Sequence, residues 1–473
     1  MEIIVVDLDG TLIKTDMLYE SFIKCVSSQP FNFFLCLYWL LVGGKVLLKN
    51  KLAERYKFDP RILPYDMQVI DYLNKEKQKG AKIYLATATH EIIAIKISDF
   101  LGLFSGVFAT NKEKNLRGEL KVQILNQNFG EGNYIYIGNS SDDFWVWKCS
   151  KKAICVNISK KNKVKLSKYT YLNVEILEDK PKFNIRVLYR MLRVHQWSKN
   201  LLLFVPIITA NLIIDLHSWI LAFIAFISFS CMASCVYIIN DLVDLDSDRS
   251  HLTKCKRPLA SGDVSILTAL AFVPFLLCIS ILTASSISER FVLCLITYSV
   301  ITTLYSLVLK KMVIIDCLTL SFLYTFRMLS GIIILNVTIS LWLISFSGFF
   351  FLSLAFIKRI AELKNMENNK DFKENKRGYK ICDITLLSQI GVASGYISTL
   401  IFALYVNSSR MSLFNHPTLV CFCGPVLVYW ITYMFFKTNR GEMDEDPVIF
   451  AIRDKHSLVA GLIFCLIFIC GLL

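Results

Sequence analysis

What the sequence lacks narrows it first. Its 15 cysteines include no C-x-x-C pair and are scattered, many of them inside apolar runs. They therefore read as small buried hydrophobes in a reducing compartment, not as disulfides or zinc ligands. No convincing internal repeat of ~100 residues occurs, which ranks a transporter low. No signal peptide precedes the first strand, because Met1-Glu2 leads straight into I-I-V-V (Ile3–Val6). Acidic residues are the scarcer charge, 38 Asp and Glu against 52 Lys and Arg, for a net charge of +14. In a chain that is 54% hydrophobic with a mean hydropathy of +0.49, that excess marks cytoplasmic loops and anionic lipid, not nucleic acid.

What is present falls into two classes. Long apolar runs begin only near residue 200, so a soluble domain precedes a polytopic membrane domain. Ile3–Val6 suits a buried parallel strand and ends in D-L-D-G-T (Asp7–Thr11). K-I-Y-L-A-T (Lys82–Thr87) is a second strand, and Y-I-Y-I-G (Tyr134–Gly138) a third that ends in N-S-S-D-D (Asn139–Asp143). Strands alternating with helical patterns imply a doubly wound α/β fold whose ligand site lies at the carboxyl ends of the strands. Residues 14–80 are expected to form a helical cap; its apolar stretch Phe31–Gly44 is short for a span and suits a cap helix lying on the bilayer or packed on the membrane domain. The expected division is 1–158, a Lys/Asn-rich linker 159–182 with its boundary near Pro181, and a membrane domain 183–473 that opens on an amphipathic basic helix, Phe183–Arg193.

Apolar segments at roughly 199–214, 218–239, 265–284, 289–309, 313–335, 341–357, 384–406, 417–436 and 456–473 predict nine transmembrane helices. Lysines and arginines crowd one set of loops, leaving only Arg290 and Arg410 on the other. That asymmetry predicts a multi-pass protein of the cell (inner) membrane, with a cytoplasmic amino-terminal domain and the carboxyl terminus outside.

After the second span comes N-D-L-V-D-L-D-S-D (Asn240–Asp248). On a helix Asp241, Asp244 and Asp248 share a face, and bare carboxylates that close repel one another. A divalent cation removes that cost, and Mg²⁺ prefers a few carboxylates plus substrate phosphates. The stretch therefore reads as a metal-diphosphate clamp, with a solvated acidic loop as the bland alternative. Lys254, Lys256 and Arg257, which follow, are placed to take phosphate charge. Arg327 lies inside an apolar span, where an ionisable group is functional by default; a structural pair with Asp316 is the alternative.

The ordered strand-end motifs over residues 1–160 resemble the haloacid dehalogenase (HAD) superfamily. That resemblance implies Asp7 as phosphate-accepting nucleophile, Asp9 as general acid/base, Thr87 on the phosphoryl group and Lys121 neutralising it, with Lys114 as rival. Asp7, Asp9 and Asp143 would hold Mg²⁺; Asn139 stands where the family usually has a metal-binding aspartate. Residues 185–473 resemble the UbiA superfamily of intramembrane transferases. The usual second aspartate motif is absent, replaced by K-R-I-A-E-L (Lys358–Leu363) and a Lys/Asn/Arg-rich loop. With H-Q-W-S-K-N (His195–Asn200) and K-R-P-L-A-S-G (Lys256–Gly262), this looks like the decaprenyl-phosphate phosphoribosyltransferase branch.

The branch implies phosphoribosyl pyrophosphate (PRPP) as donor and a polyprenyl phosphate as acceptor. Mg²⁺ would sit on Asn240, Asp241, Asp244 and Asp248. Substrate-binding residues would be Lys199, Asn200, Asn240, Lys254, Arg257, Arg327, Lys358, Arg359, Arg377 and Tyr379. The fused domain would remove the 5′-phosphate of the lipid product. A prenyl diphosphate donor with a small or aromatic acceptor, beside a regulatory or inactive HAD domain, is the rival reading. A homo-oligomer is left open.

Overall fold

In the computed structural model of the chain, the described residues are 2–472 apart from 56, 112–113, 159, 168–172, 178–183, 252, 369–376, 407–415 and 444–445. They form two units, one of residues 1–193 and 237–275, the other of 194–236 and 276–473. Pro181, Phe183 and Arg410 lie outside the described residues.

The first unit is built on a six-stranded sheet: β1 (Ile3–Val6), β2 (Lys82–His90), β3 (Gly106–Thr110), β4 (Ile135–Gly138), β5 (Lys152–Val156) and β6 (Val174–Leu177). The order is β3-β2-β1-β4-β5-β6 and every pairing is parallel. Alternation along the strands fills two cores. Ile4, Val6, Ile135, Ile137, Ile154 and Val156 pack on one face; Val5, Tyr134, Tyr136, Ala153 and Cys155 pack on the other with Trp147. Both faces being covered explains why these strands are almost continuously apolar. The strand order reverses direction between β1 and β4, so their carboxyl ends bring Asp7 and Asn139 to one crevice.

Five helices matter below. In α1 (Met17–Ser28), the Asp16 side chain caps the first turn by accepting from Leu18 N. In α2 (Asn32–Arg55) the helical path breaks at Gly44, whose φ of 62° and ψ of −160° are open to glycine alone. The apolar part before the break therefore extends about 18 Å as helix, short of a ~30 Å bilayer core. Phe31, Phe34, Leu41 and Val42 are exposed along it. Helix α3 is Glu119–Phe129. Beyond the long helix α4 (Leu216–Val243), a break at Asp244 leads into the five-residue α5 (Leu245–Arg249).

Long apolar helices make up the second unit, together with the stretches it shares with the first. Among the described residues eight helices are long and apolar enough by length and composition to cross a membrane: α2, whose path is nonetheless broken at Gly44, α4, α6 (Ile266–Ser285), 289–307, α7 (Ile315–Leu335), 341–367, 381–406 and 418–439. Pro447–Arg453 and Lys455–Gly471, bent by 84°, are a ninth if taken as one span. The expected first span differs. Val194–Phe204 is 3-10 and Val205–Thr209 a single α-turn, so 199–214 is not one long helix. Pro206 cannot donate a backbone hydrogen bond, and Asn200 turns inward to polar partners. All 15 cysteines are free thiols.

Candidate active sites

At the carboxyl ends of β1, β2 and β4, Asp7, Asp9, Thr89, Lys121, Asn139 and Asp143 line a cavity of about 830 Å³. Helix α3 carries Lys121 into it. The Lys121 ammonium donates to Asp7 Oδ1 at 2.9 Å and lies 3.9 Å from Asp143 Oδ1. Asp143 accepts from Tyr136 Oη (2.7 Å), Asn139 N (3.0 Å) and Ser140 N (2.8 Å), which fixes the 139–143 loop. Burial pushes the Asp7 carboxyl up to about 6, against the pull of Lys121. Burial, then the charges of Asp16 and Asp7, push Asp9 up to about 8. Burial alone would lower Lys121, but Asp7 and Asp143 outweigh it and hold the ammonium above its ordinary value. The result is one carboxyl that is ionised at neutral pH beside another that keeps its proton.

Lys121 meets Asp7, while Lys114 lies in the stretch after β3, its backbone N–H donating to Asn111. Thr87 is fully buried and accepts from Thr89 N. Sequence reasoning missed Thr89, whose hydroxyl donates to Asp9 Oδ2 at 2.5 Å; β2 runs three residues past the expected end, to His90. The alternating hydroxyls of T-A-T were the available signal.

The residues present fit a metal here. Asn139 Oδ1 is buried without a hydrogen-bond partner, and an amide oxygen is a Mg²⁺ ligand type. Gly10 (φ +72°) faces Asn139 so closely that a Cβ would meet its side-chain nitrogen at 2.1 Å. Among the described residues, however, no three His, Cys, Asp or Glu side chains are gathered as a ready metal site.

The aspartate-rich segment belongs to the same unit. Asp241 and Asp248 converge on one guanidinium: Arg257 Nη1 donates to Asp241 at 3.0 Å and to Asp248 at 2.5 Å. Arg193 pairs with Asp241 as well. Burial raises Asp248, opposed by Arg257. Two carboxylates focused on one cation suit Mg²⁺, which takes one or two carboxylates with substrate phosphates. Asp244 sits at the helix break and Asp246 pairs with Lys24. Asn240 lies in the last turn of α4, its carbonyl accepting from Asp244 N at 2.9 Å. Lys254 begins a short 3-10 turn three residues before Arg257.

In the second unit, Arg327 is buried, and its partners are not Asp316. It donates to Asn200 Oδ1 (2.9 Å), Tyr298 Oη (2.7 Å) and Leu323 O (2.7 Å), and Asn200 in turn donates to Ser230. Asp316 pairs instead with buried Arg359 and with Arg377 at 3.5 Å, and accepts from Tyr305 at 2.8 Å. Glu362 joins both arginines. Lys199 pairs with Asp446 at 2.6 Å, and Lys358 lies within electrostatic reach of both. Buried Tyr379 accepts from the backbone of Ile314, a residue held at φ 70°.

A parallel α/β unit with a Lys-paired aspartate at the end of β1 is thus joined in one chain to a unit of long apolar helices. Residues 202–454 match the UbiA prenyltransferase family; the chain belongs to that family. An uncharacterized protein of Sinorhizobium fredii, y4nM, is 33% identical over 98% of this chain and 90% of its own length. Nodulation protein NoeC of Azorhizobium caulinodans is 33% identical over 59% of this chain and 91% of its own. Decaprenyl-phosphate phosphoribosyltransferase of Mycolicibacterium smegmatis is 29% identical over 40% of this chain and 60% of its own.

Proposed function

We propose that this membrane transferase moves phosphoribosyl from PRPP to a polyprenyl phosphate and releases pyrophosphate. The observation that carries the reading is the focus of Asp241 and Asp248 on one cationic point, held by Arg257 and Arg193. Where a second aspartate motif would hold a prenyl diphosphate, this chain has Lys358, Arg359 and Arg377, and Asp316 and Glu362 pair with the two arginines. The similarity to a relative named decaprenyl-phosphate phosphoribosyltransferase supports the same donor. The family's own name keeps a prenyl diphosphate donor as the second reading.

In this mechanism a lipid phosphate oxygen forms the new bond to ribose C1 while the bond to pyrophosphate breaks. Mg²⁺, when bound, stabilises the leaving pyrophosphate. Asn240, Asp241, Asp244 and Asp248 would hold it, and Arg257 and Lys254 would take phosphate charge. Lys199 and Arg377, which now pair with Asp446 and Asp316, and Lys358 bind substrate; Asn200, Arg327, Arg359 and Tyr379, buried within the protein, position their neighbours. The membrane domain begins near residue 183 and has nine spans, the first formed by the irregular 194–209 stretch. The amino-terminal domain and the basic loops face the cytoplasm, with α2 lying along the bilayer surface.

The HAD-like domain removes the 5′-phosphate of the lipid product. Asp7 attacks phosphorus, Asp9 protonates the leaving ribose oxygen, and water then releases phosphate from the aspartyl phosphate. Asp7, Asp9 and Asp143, with Asn139 beside them, would hold Mg²⁺, which would screen the two anions. Gly262–Thr268, which runs into the apolar helix α6, forms one wall of this cavity, which supports a lipid-borne substrate. Incubation with labelled PRPP, a short polyprenyl phosphate and Mg²⁺ tests the transfer. Labelled lipid is expected from the wild type and not from Asp241→Asn; no labelled lipid under any condition would move the donor to a prenyl diphosphate.

A further inference from the structure

The helix that carries Asp248 cannot orient itself. Helix α5 has five residues, far below the length at which a helix is stable alone in water. Its direction must be set from outside, and the structure identifies the source. Glu20 and Lys24, one turn apart on α1, share a face. Asp246 and Arg249, three apart on α5, share another. The charges cross in complementary order: Arg249 donates to Glu20 at 2.6 and 3.2 Å, and Lys24 pairs with Asp246. The Arg249 and Glu20 side chains are 3% and 2% exposed. Arg249 Nε also donates to Ala260 O at 3.2 Å, so one side chain holds α5 and the loop that bears Arg257. On the other side, Glu20 accepts from Thr15 Oγ1 at 2.6 Å, and Thr15 lines the phosphatase-like cavity.

We propose that α1 of the HAD-like fold is a structural part of the transferase site: Glu20, through Arg249, positions α5 and the 257–262 loop so that Asp241, Asp248 and Arg257 converge. The proposal rests on the reading of those aspartates as a metal-diphosphate clamp. It makes Glu20 and Arg249 positioning residues of the transferase, and it gives the fusion a role that does not depend on phosphate hydrolysis. A buried pair of charges is a costly way to join two helices, and what it offers over an apolar contact is a defined geometry.

The test uses full-length protein in detergent and inorganic pyrophosphate, the part common to PRPP and prenyl diphosphates. Pyrophosphate is titrated calorimetrically at fixed Mg²⁺, with hydrolysis of a small phosphomonoester followed on the same samples. Glu20→Gln is expected to weaken pyrophosphate binding about tenfold. The exchanged pair Glu20→Arg with Arg249→Glu is expected to recover it to within about threefold of the wild type. Glu76→Gln, which breaks the exposed Glu76–Lys79 pair, is expected to bind as the wild type. Unchanged binding in Glu20→Gln overturns the proposal, and so does a loss that the exchanged pair fails to recover. A wild type that binds no pyrophosphate with Mg²⁺ overturns the clamp reading itself, and the positioning role with it.

Discussion

Two clusters of carboxylates sit in one unit and are stabilised in opposite ways. At the end of β1, Asp7 is held by a lysine on a regular helix and by a loop that Asp143 fastens. In the α4–α5 segment, Asp241 and Asp248 share Arg257 and Asp241 also meets Arg193, both arginines from irregular stretches, and the Arg257 side chain is 29% exposed. A lysine fixed beneath a carboxylate suits repeated handling of one small anionic group. Arginines at a rim can pass from carboxylate to phosphate when a metal-bound diphosphate arrives. The difference lies in the backbone: strand ends give the first cluster fixed coordinates, and a broken helix leaves the second dependent on its neighbours.

Several substitutions would break or sharpen that contrast. The largest effect is expected from Asp7→Asn, which should cut phosphate release by a factor on the order of 10³ or more and leave the lipid product phosphorylated. Dephosphorylated lipid from this variant would remove the amino-terminal domain from the pathway. Next, Glu20→Ala leaves Arg249 buried without its partner and should cost about 3–5 kcal/mol, read as a lower denaturant midpoint; a midpoint within experimental error of the wild type would contradict the buried pairing. Asp248→Asn should lower transfer about 10²–10³-fold, with phosphomonoester hydrolysis tracking the wild type. A smaller effect is a pH profile. Hydrolysis should rise with pH as Asp7 ionises near 6 and fall as Asp9 loses its proton near 8; a flat profile from 5 to 9 would contradict those roles. Asp246→Asn, which removes only a half-exposed partner of Lys24, should change stability by less than about 1 kcal/mol.

Much of this was legible in the sequence, for reasons the structure makes plain. The strands β1, β2 and β4 are short apolar runs between polar turns, and each ends in the residues that line the crevice. Eight of the nine apolar segments coincide with helices, because lipid-facing helices must be apolar along their length. What the sequence concealed depends on long-range pairing. Arg327 meets Asn200, and Asp316 meets Arg359 and Arg377; local spacing does not encode either choice. Thr89 was hidden by the extension of β2. The irregular start of the membrane domain was masked by its apolar composition, which cannot tell a 3-10 stretch from a spanning helix. Glu20 and Arg249 looked like ordinary surface charges in their own helices, and only the fold brings them together across 229 positions.

The central claim, two linked reactions on one lipid, is tested most directly by PRPP carrying one label in the ribose and another in the 5′-phosphate. Supplied with a short polyprenyl phosphate and Mg²⁺, the wild type should give lipid bearing the ribose label alone, with the phosphate label released as inorganic phosphate. Asp7→Asn should give lipid bearing both labels. Lipid with both labels from the wild type and from Asp7→Asn alike would contradict the account.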